Sequence, residues 1–326
     1  MKTLKKHFAE NFMPTRIVAF APYALIFKTT NYCWYKCPHC CEKAGPDQEK
    51  DYIPENIICE YINQALKDKR FDKNIVFTGG EVFSAYRFHD TQYVPNILKH
   101  ALRNDIGTDI KTNAGWATTS FGKDIFRDLK HVITDTHKPT SCFPELQISL
   151  SLDTYHANCF EKNLKVIKEL AGYPVMIHLS SFGDQKDIVT QFNKVLNKEL
   201  HPQSAFIADC DGNIRQEVQI IKTHTILIQS FATLFNSGRA VKLQNAEQIE
   251  FPQFSFMTSD GALLVAFDNF GRVTLGENSG HKISTPWVNY NMQPKKLDTI
   301  FNELFYGALK ENLYYLFYEQ FFHRYR

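Results

Sequence analysis

The stretch "ALIFKTTNYCWYKCPHCCE", residues 24–42, joins a short apolar run directly to a group of four cysteines. The apolar part predicts a buried β-strand. The cysteines, Cys33, Cys37, Cys40 and Cys41, follow on a short loop. Four thiols so close together, in a chain with no signal peptide in its sequence, indicate metal binding rather than a disulfide framework.

The same strand begins a repeated pattern that extends over residues 23–240. Short apolar runs alternate with longer amphipathic stretches, which is typical of β/α units and a parallel sheet. Roughly six such units fit, fewer than the eight of a closed barrel. The further strands are predicted at "NIVF", "TDIKT", "LQISL", "VMIHL" and "AFIAD".

Polar and glycine-rich segments directly follow several of these strands: the cysteine loop, "TGGE", "TNAG" and "SLD". The carboxyl ends of parallel strands meet at one edge of the sheet, where α/β barrels carry their chemistry. The sequence therefore predicts one site at one rim that gathers all four segments.

Composition sets limits on the function. The 326 residues are 44% apolar and 22% charged, which is ordinary globular composition, and the formal net charge is +2. This charge gives no indication of a nucleic-acid partner. We see no signal peptide and no long apolar segment, so we expect a cytoplasmic protein without membrane spans.

The last part of the chain has a different pattern. "GALLVAFDNFGRVTLG" predicts a β-hairpin that turns near Asn269–Gly271. The aromatic-rich end of the chain, residues 300–326, predicts a packing helix, with a membrane-surface or partner helix as the alternative. We therefore expect an N-terminal extension at 1–22, a barrel domain at 23–240, and a C-terminal extension with the hairpin and helix at 241–326.

The cysteine loop allows two kinds of metal site. Three thiolates, from Cys33, Cys37 and Cys40, could hold three irons of a [4Fe–4S] cluster and leave the fourth iron open. Alternatively, the thiols and His39 could form a zinc site, although no second C-x2-C pair follows at zinc-finger spacing. Cys41 directly follows Cys40 and is predicted not to be a ligand.

The C-x3-C-x2-C spacing of Cys33, Cys37 and Cys40 resembles the signature of the radical S-adenosylmethionine (radical SAM) superfamily. The resemblance covers residues 23–240. It implies an α/β fold, a partial (β/α)6 TIM-like barrel with a smaller C-terminal α+β extension. It also implies a [4Fe–4S] cluster, S-adenosylmethionine on the open iron, and a reductant such as flavodoxin or ferredoxin.

The other segments resemble cofactor-binding motifs of the same superfamily. "TGGE" resembles its Gly-Gly-Glu-Pro motif, with Val82 in place of proline, and "SLD" resembles its ribose-binding Ser-x-Asp. Taken alone, the first is often a turn and the second a helix cap. His39 stands where the superfamily usually has an aromatic residue. The predicted cofactor contacts are Gly79, Gly80, Glu81, Asn113, Ser151, Asp153 and His39.

The C-terminal region resembles the start of a SPASM or twitch extension, which holds auxiliary clusters in peptide-modifying members. Leu275 and Gly276 stand where a Pro-Cys pair is expected, and no cysteine follows Cys210. We therefore predict a remnant of this extension without a cluster bound by C-terminal thiolates.

The resemblance implies hydrogen abstraction from a peptide or protein side chain. A nucleotide or small-metabolite substrate is the alternative within the superfamily, and a non-enzymatic metal- or cluster-binding regulator is the alternative from another class. The sequence assigns no catalytic acid. Tyr155 and His156, just beyond Asp153, are candidates at the rim.

Overall fold

The computed structural model describes residues 22–138, 144–182, 185–208, 214–222, 224–232, 263–275, 284–286 and 293–310. The described α-helices are α1 (Glu55–Ala65), α2 (Ala85–Phe88), α3 (Tyr93–Arg103), α4 (Gly122–Thr136), α5 (Cys159–Leu170), α6 (Lys186–Leu200) and α7 (Leu297–Lys310). Short 3-10 helices span Val82–Ser84 and Gly115–Thr118. The strands are β1 (Tyr23–Thr30), β2 (Phe71–Gly79), β3 (Gly107–Thr112), β4 (Leu146–Ser151), β5 (Met176–Phe182), β6 (Gln203–Ala208), β7 (Ile214–Ile221), β8 (Thr225–Ala232), β9 (Leu263–Asp268), β10 (Arg272–Leu275) and β11 (Ser284–Pro286).

The described strands form one mixed sheet in the order β11-β10-β9-β1-β2-β3-β4-β5-β8-β7-β6. The central run from β9 through β1 to β5 and β8 is parallel. The strands at both edges pair antiparallel. The hydrogen bonds of the described strands leave the sheet open rather than closed. This confirms the predicted α/β fold with a partial barrel of parallel strands.

One detail of the predicted barrel is wrong. The segment "AFIAD", which overlaps β6, was expected to be the sixth parallel strand. β6 instead lies at the edge of the sheet and pairs antiparallel with β7. On the side away from β4, the parallel neighbour of β5 is β8, with Ser180 opposite Ser230. Both segments are short apolar runs, and their pattern alone does not specify which of them pairs with β5.

The two faces of the sheet differ in chemistry. Alternate residues of the central strands pack under the helices in the main apolar core, with Phe27, Phe77 and Leu179 among them. The residues between them form the opposite surface, which we call the inner face: Val76, Thr78, Asp109, Lys111, Gln147, Ser149, Ser151, Met176, His178, Ser180, Ile226, Ile228 and Ser230. Beside β9, this surface is apolar and packs Ala24, Ile26 and Ala266 together. Further along, it is polar and partly accessible.

The C-terminal hairpin belongs to the same sheet. β9 and β10 pair antiparallel around a turn at Asp268–Gly271, which confirms the predicted hairpin. β9 also lies parallel to β1, with Phe267 opposite Phe27. The predicted C-terminal helix is described as far as Lys310. The rest of it, like the N-terminal extension, lies outside the described residues.

Within the described parts of the chain, no helix has both the length and the apolar character needed to cross a membrane. The separation of residues 23–240 from 241–326 into two domains stays a prediction, and its boundary lies outside the described residues.

Candidate metal and cofactor site

The cysteine loop begins where β1 ends and is held against that end by backbone contacts. Tyr32 forms a bridge with Gly45, whose carbonyl accepts from the Cys33 amide at 3.2 Å. Cys33 and Cys37 are buried, whereas Cys40 and Cys41 are partly exposed. None of the described cysteines forms a disulfide. The loop therefore presents thiols at the carboxyl end of β1, as predicted.

The buried thiols suit a cationic ligand. Burial, with a smaller effect of nearby Glu81, raises the pKa of the Cys33 thiol to about 12. A thiolate at this position needs a nearby positive charge, and a bound metal deprotonates a coordinating thiol outright. Three thiols on one short loop match the donor set that holds iron–sulfur clusters. The residues thus fit the cluster that the sequence predicts.

The glycines of "TGGE" allow β2 to approach the cysteine loop closely. The Gly80 amide donates to the Thr30 carbonyl at 2.6 Å, and the Glu81 amide donates to the Tyr32 carbonyl at 2.7 Å. A Cβ on Gly80 would lie 2.0 Å from the Tyr32 oxygen. A residue with a side chain would push the loop away, so Gly80 fixes the position of the loop against β2.

The Glu81 carboxylate points into the interior of the protein. It accepts from the Thr112 hydroxyl at 2.8 and 2.9 Å, and from the amides of Phe83 and Asn113, each at 3.2 Å. Burial outweighs these hydrogen bonds and raises the pKa of Glu81 to about 7. Glu81, which was predicted as a cofactor contact, thus connects the ends of β2 and β3.

Asn113 connects "TNAG" to the cysteines. Its Nδ2 donates to Cys33 Sγ at 3.3 Å, and its Oδ1 accepts from the Gly115 amide at 2.8 Å. Asn113 was predicted as a cofactor contact, and the structure places it directly on a predicted metal ligand. A hydrogen bond to a ligand sulfur is a means by which proteins tune a cluster.

The "SLD" segment holds a buried ion pair at the end of β4. Asp153 Oδ1 and Oδ2 lie 2.9 and 3.0 Å from His156 Nδ1. Burial opposes the charge of Asp153, but the hydrogen bond and charge of His156 outweigh it and lower the pKa of the carboxyl. Burial also opposes the charge of His156, but hydrogen bonds to Asp153 and Cys37 raise the pKa of the imidazole to about 9. Ser151, two residues before Asp153, accepts at its carbonyl from Asn163 Nδ2 at 3.0 Å.

His39, a residue of the cysteine loop, lies beside this ion pair. Its ring contacts the rings of Tyr155, His156 and Phe182 at centroid distances of 4.6, 5.2 and 5.2 Å. Potential ligand atoms of His39, Asp153 and His156 all lie within 4.8 Å of one another. This arrangement could hold a metal ion by itself, which the sequence did not predict.

Two lysines near the cysteine loop were missed by the sequence analysis. Lys28 on β1 forms a buried ion pair with Glu42 at 2.7 Å, which anchors the far end of the loop. Lys162 on α5 is 5% exposed, donates to the Tyr35 hydroxyl, and lies 4.4 Å from the centroid of the Tyr35 ring. A lysine within a strand or helix pattern carries no sequence signal of such a role.

A row of hydrogen bonds crosses the inner face and was also missed. The Ser149 hydroxyl donates to Asp109 Oδ1 at 2.7 Å and lies 3.3 Å from His178 Nδ1. His178 Nε2 lies 2.6 Å from the Ser230 hydroxyl. Burial, then the charge of Lys111, lowers the pKa of His178, which favours a neutral ring. Alternating polar residues in "TDIKT", "QISLS" and "MIHLSS" were the available signal for this row.

The structure therefore brings the predicted residues into two linked groups. In the first group, Cys33, Asn113 and Glu81 are connected through hydrogen bonds. In the second group, His39 contacts His156, which pairs with Asp153. Ser151 is the last residue of β4, at the same rim as both groups.

No protein-family profile matches the chain, and no curated protein matches it in sequence. Solved structures are similar to it at low identity. SuiB from Streptococcus suis is 12% identical, with 95% of this chain and 72% of SuiB covered and a TM-score of 0.43. BtrN in complex with AdoMet and 2-DOIA is 13% identical, with 89% and 86% covered and a TM-score of 0.43. The enzyme anSMEcpe with bound AdoMet and Kp18Cys peptide is 11% identical, with 90% and 82% covered and a TM-score of 0.47. Likeness at this level carries no conclusion about activity, so the function is inferred from the site itself.

Proposed function

We propose that this protein is a radical SAM enzyme that acts on a peptide or protein side chain. The observation that carries the proposal is the convergence of the cysteine loop, "TGGE", "TNAG" and "SLD" at one rim, with Asn113 Nδ2 on Cys33 Sγ. Four separate segments of the chain meet there in the order that the superfamily resemblance implies.

In this proposal, Cys33, Cys37 and Cys40 hold a [4Fe–4S] cluster. When bound there, the cluster would supply the electron for reductive cleavage of S-adenosylmethionine, the chemistry by which a hydrogen atom would be removed from the substrate. Gly79 and Gly80 bring the backbone of β2 close to the cysteine loop.

The remaining predicted contacts line the place for S-adenosylmethionine. Asn113 directly follows β3 and Ser151 is the last residue of β4, and the His39 ring packs against Tyr155 and His156 just beyond that strand. The carboxylates of Glu81 and Asp153 already accept several internal hydrogen bonds. We therefore assign Glu81 to positioning the ends of β2 and β3 rather than to direct charge pairing with the cofactor.

The peptide substrate is supported by the β9–β10 hairpin, which resembles the start of an extension found in peptide-modifying members. A flavodoxin or ferredoxin is the proposed electron donor. The partly buried polar row on the inner face would suit a nucleotide or other polar metabolite, which is the alternative substrate.

A second function is favoured by a different observation. His39, Asp153 and His156 form a group that could bind a single metal ion, as in a non-enzymatic metal-binding regulator. This function predicts zinc or another single ion per chain and no cleavage of S-adenosylmethionine.

The test is anaerobic purification and iron–sulfide reconstitution, followed by iron and sulfide analysis and EPR. We expect about four irons per chain and 5′-deoxyadenosine formation with dithionite and S-adenosylmethionine. The Cys33→Ala, Cys37→Ala, Cys40→Ala triple variant should lose both. Cys41→Ala is the matched control and should keep both. Equal cofactor cleavage by the triple variant and the wild type would show the proposal to be wrong.

A further inference from the structure

The ion pair at the end of β4 is fixed by more contacts than a helix cap requires. Asp153 and His156 are 2% and 7% exposed. Asp153 Oδ1 accepts from the backbone amides of Tyr155 at 2.8 Å and His156 at 3.2 Å. The same carboxylate lies 2.9 and 3.0 Å from His156 Nδ1. The backbone thus orients the carboxylate, and the carboxylate orients the imidazole.

The imidazole that is held in this way reaches the cysteine loop. It hydrogen-bonds to Cys37, the middle cysteine of the motif. Its ring meets the rings of Tyr35 and His39 edge to face, at centroid distances of 5.9 and 5.2 Å. Residues of the loop therefore surround His156, which comes from a different strand end.

We propose that His156 is a positioning residue that donates a hydrogen bond to the Cys37 sulfur and raises the reduction potential of the cluster, with Asp153 holding the ring. The inference deepens the proposed function and rests on it. A carboxylate and a ligand thiolate both accept hydrogen bonds, so the ring presents an N–H to each. A donor on a ligand sulfur stabilises the more negative, reduced cluster.

This role separates the two residues of "SLD". Ser151 stays a candidate for the cofactor ribose, whereas Asp153 acts through His156. Two of the three proposed ligands then have a hydrogen-bond donor from beyond the end of a strand. Asn113, after β3, donates to Cys33, and His156, after β4, donates to Cys37.

The test is the reduction potential of the reconstituted full-length protein, measured by EPR-monitored titration at one pH without S-adenosylmethionine. His156→Phe removes the donor, and His156→Gln keeps an N–H. Asp153→Asn weakens the hold on the ring. His100→Gln, which replaces a partly exposed histidine on α3, controls for loss of any imidazole.

We expect His156→Phe to have a more negative potential than the wild type at equal iron and sulfide content. His156→Gln should restore part of the difference, Asp153→Asn should shift the potential in the same direction, and His100→Gln should not. An unchanged potential in His156→Phe would overturn the inference.

The iron content of the His156 variants is a second result that bears on the inference. Loss from both His156→Phe and His156→Gln would also overturn the inference, because the residue would then be needed for assembly of the site rather than for its potential. If His156→Phe alone loses iron, the potential of Asp153→Asn decides: a more negative value supports the role, and the wild-type value refutes it. Absence of a cluster in the wild type would instead refute the proposed function, and iron analysis shows this before any potential is measured.

Discussion

The burial of Glu81 predicts a specific dependence of stability on pH. Its carboxyl group is fully buried between the ends of β2 and β3, and burial raises the pKa from 4.5 to about 7. Because the folded-state pKa lies above the unfolded one, the folded protein holds this proton more tightly. The stabilisation from the bound proton is therefore complete below pH 4.5 and is lost as the pH rises to about 7.

The size of the effect follows from the two pKa values. At about 1.4 kcal/mol for each pH unit, a pKa that rises from 4.5 to about 7 corresponds to about 3 kcal/mol. Glu81→Gln removes the titrating group and keeps one acceptor oxygen. Relative to this variant, the wild type should lose about 3 kcal/mol of unfolding free energy between pH 4.5 and neutral pH.

The assay is guanidinium-induced unfolding of both proteins at several pH values, since the comparison cancels the titration of all other groups. Glu60→Gln, which removes an exposed carboxylate from α1, controls for the loss of a charge. A stability difference between wild type and Glu81→Gln that stays constant with pH, or that changes in the opposite direction, would refute the reasoning.

Two further predictions concern the contacts that position the cysteine loop. Gly80→Ala places a Cβ 2.0 Å from the Tyr32 oxygen and should lower the unfolding free energy by about 3 kcal/mol or more. Gly271→Ala meets no neighbouring atom, and only its positive φ should lower the unfolding free energy, by about 1 kcal/mol. Similar losses in the two variants would contradict this. Lys28→Met removes the cation beside the buried Glu42 carboxylate and should cost about 3 kcal/mol in thermal or denaturant unfolding. Lys28→Met with Glu42→Gln should recover part of this loss, and no recovery would mean that the pair is not coupled.

Much of the fold could be predicted because its signals are local. The first five parallel strands each have a short apolar run, and the first four are each followed by a polar segment that the structure places at the rim. The identity of the next parallel strand, beside β5, could not be predicted in this way. β6 and β8 are both apolar segments, and the choice between them depends on pairing with β5, which is a contact across the sheet.

The candidate site also has features that the sequence predicts and features that it does not. The spacing of Cys33, Cys37 and Cys40 was readable because it lies within one loop. The direction of the Glu81 carboxylate was not, because Thr112 and the Asn113 amide approach it from another strand. His156 was noted as one candidate among twelve histidines. Its proximity to Cys37 depends on how two strand ends meet, and one sequence does not contain that information.

The position of β9 has a consequence for the way the chain is made. β1 is complete at Thr30, but the strand that pairs with its second edge begins at Leu263. During synthesis, the amide and carbonyl groups along that edge stay without their final partner while the ribosome adds residues 31–262. An unpaired strand edge is a site of aggregation, and pairing between distant segments is slow. Since the cysteine loop continues directly from β1, we expect this half of the metal site to become rigid late in folding, after β9 has been released from the ribosome.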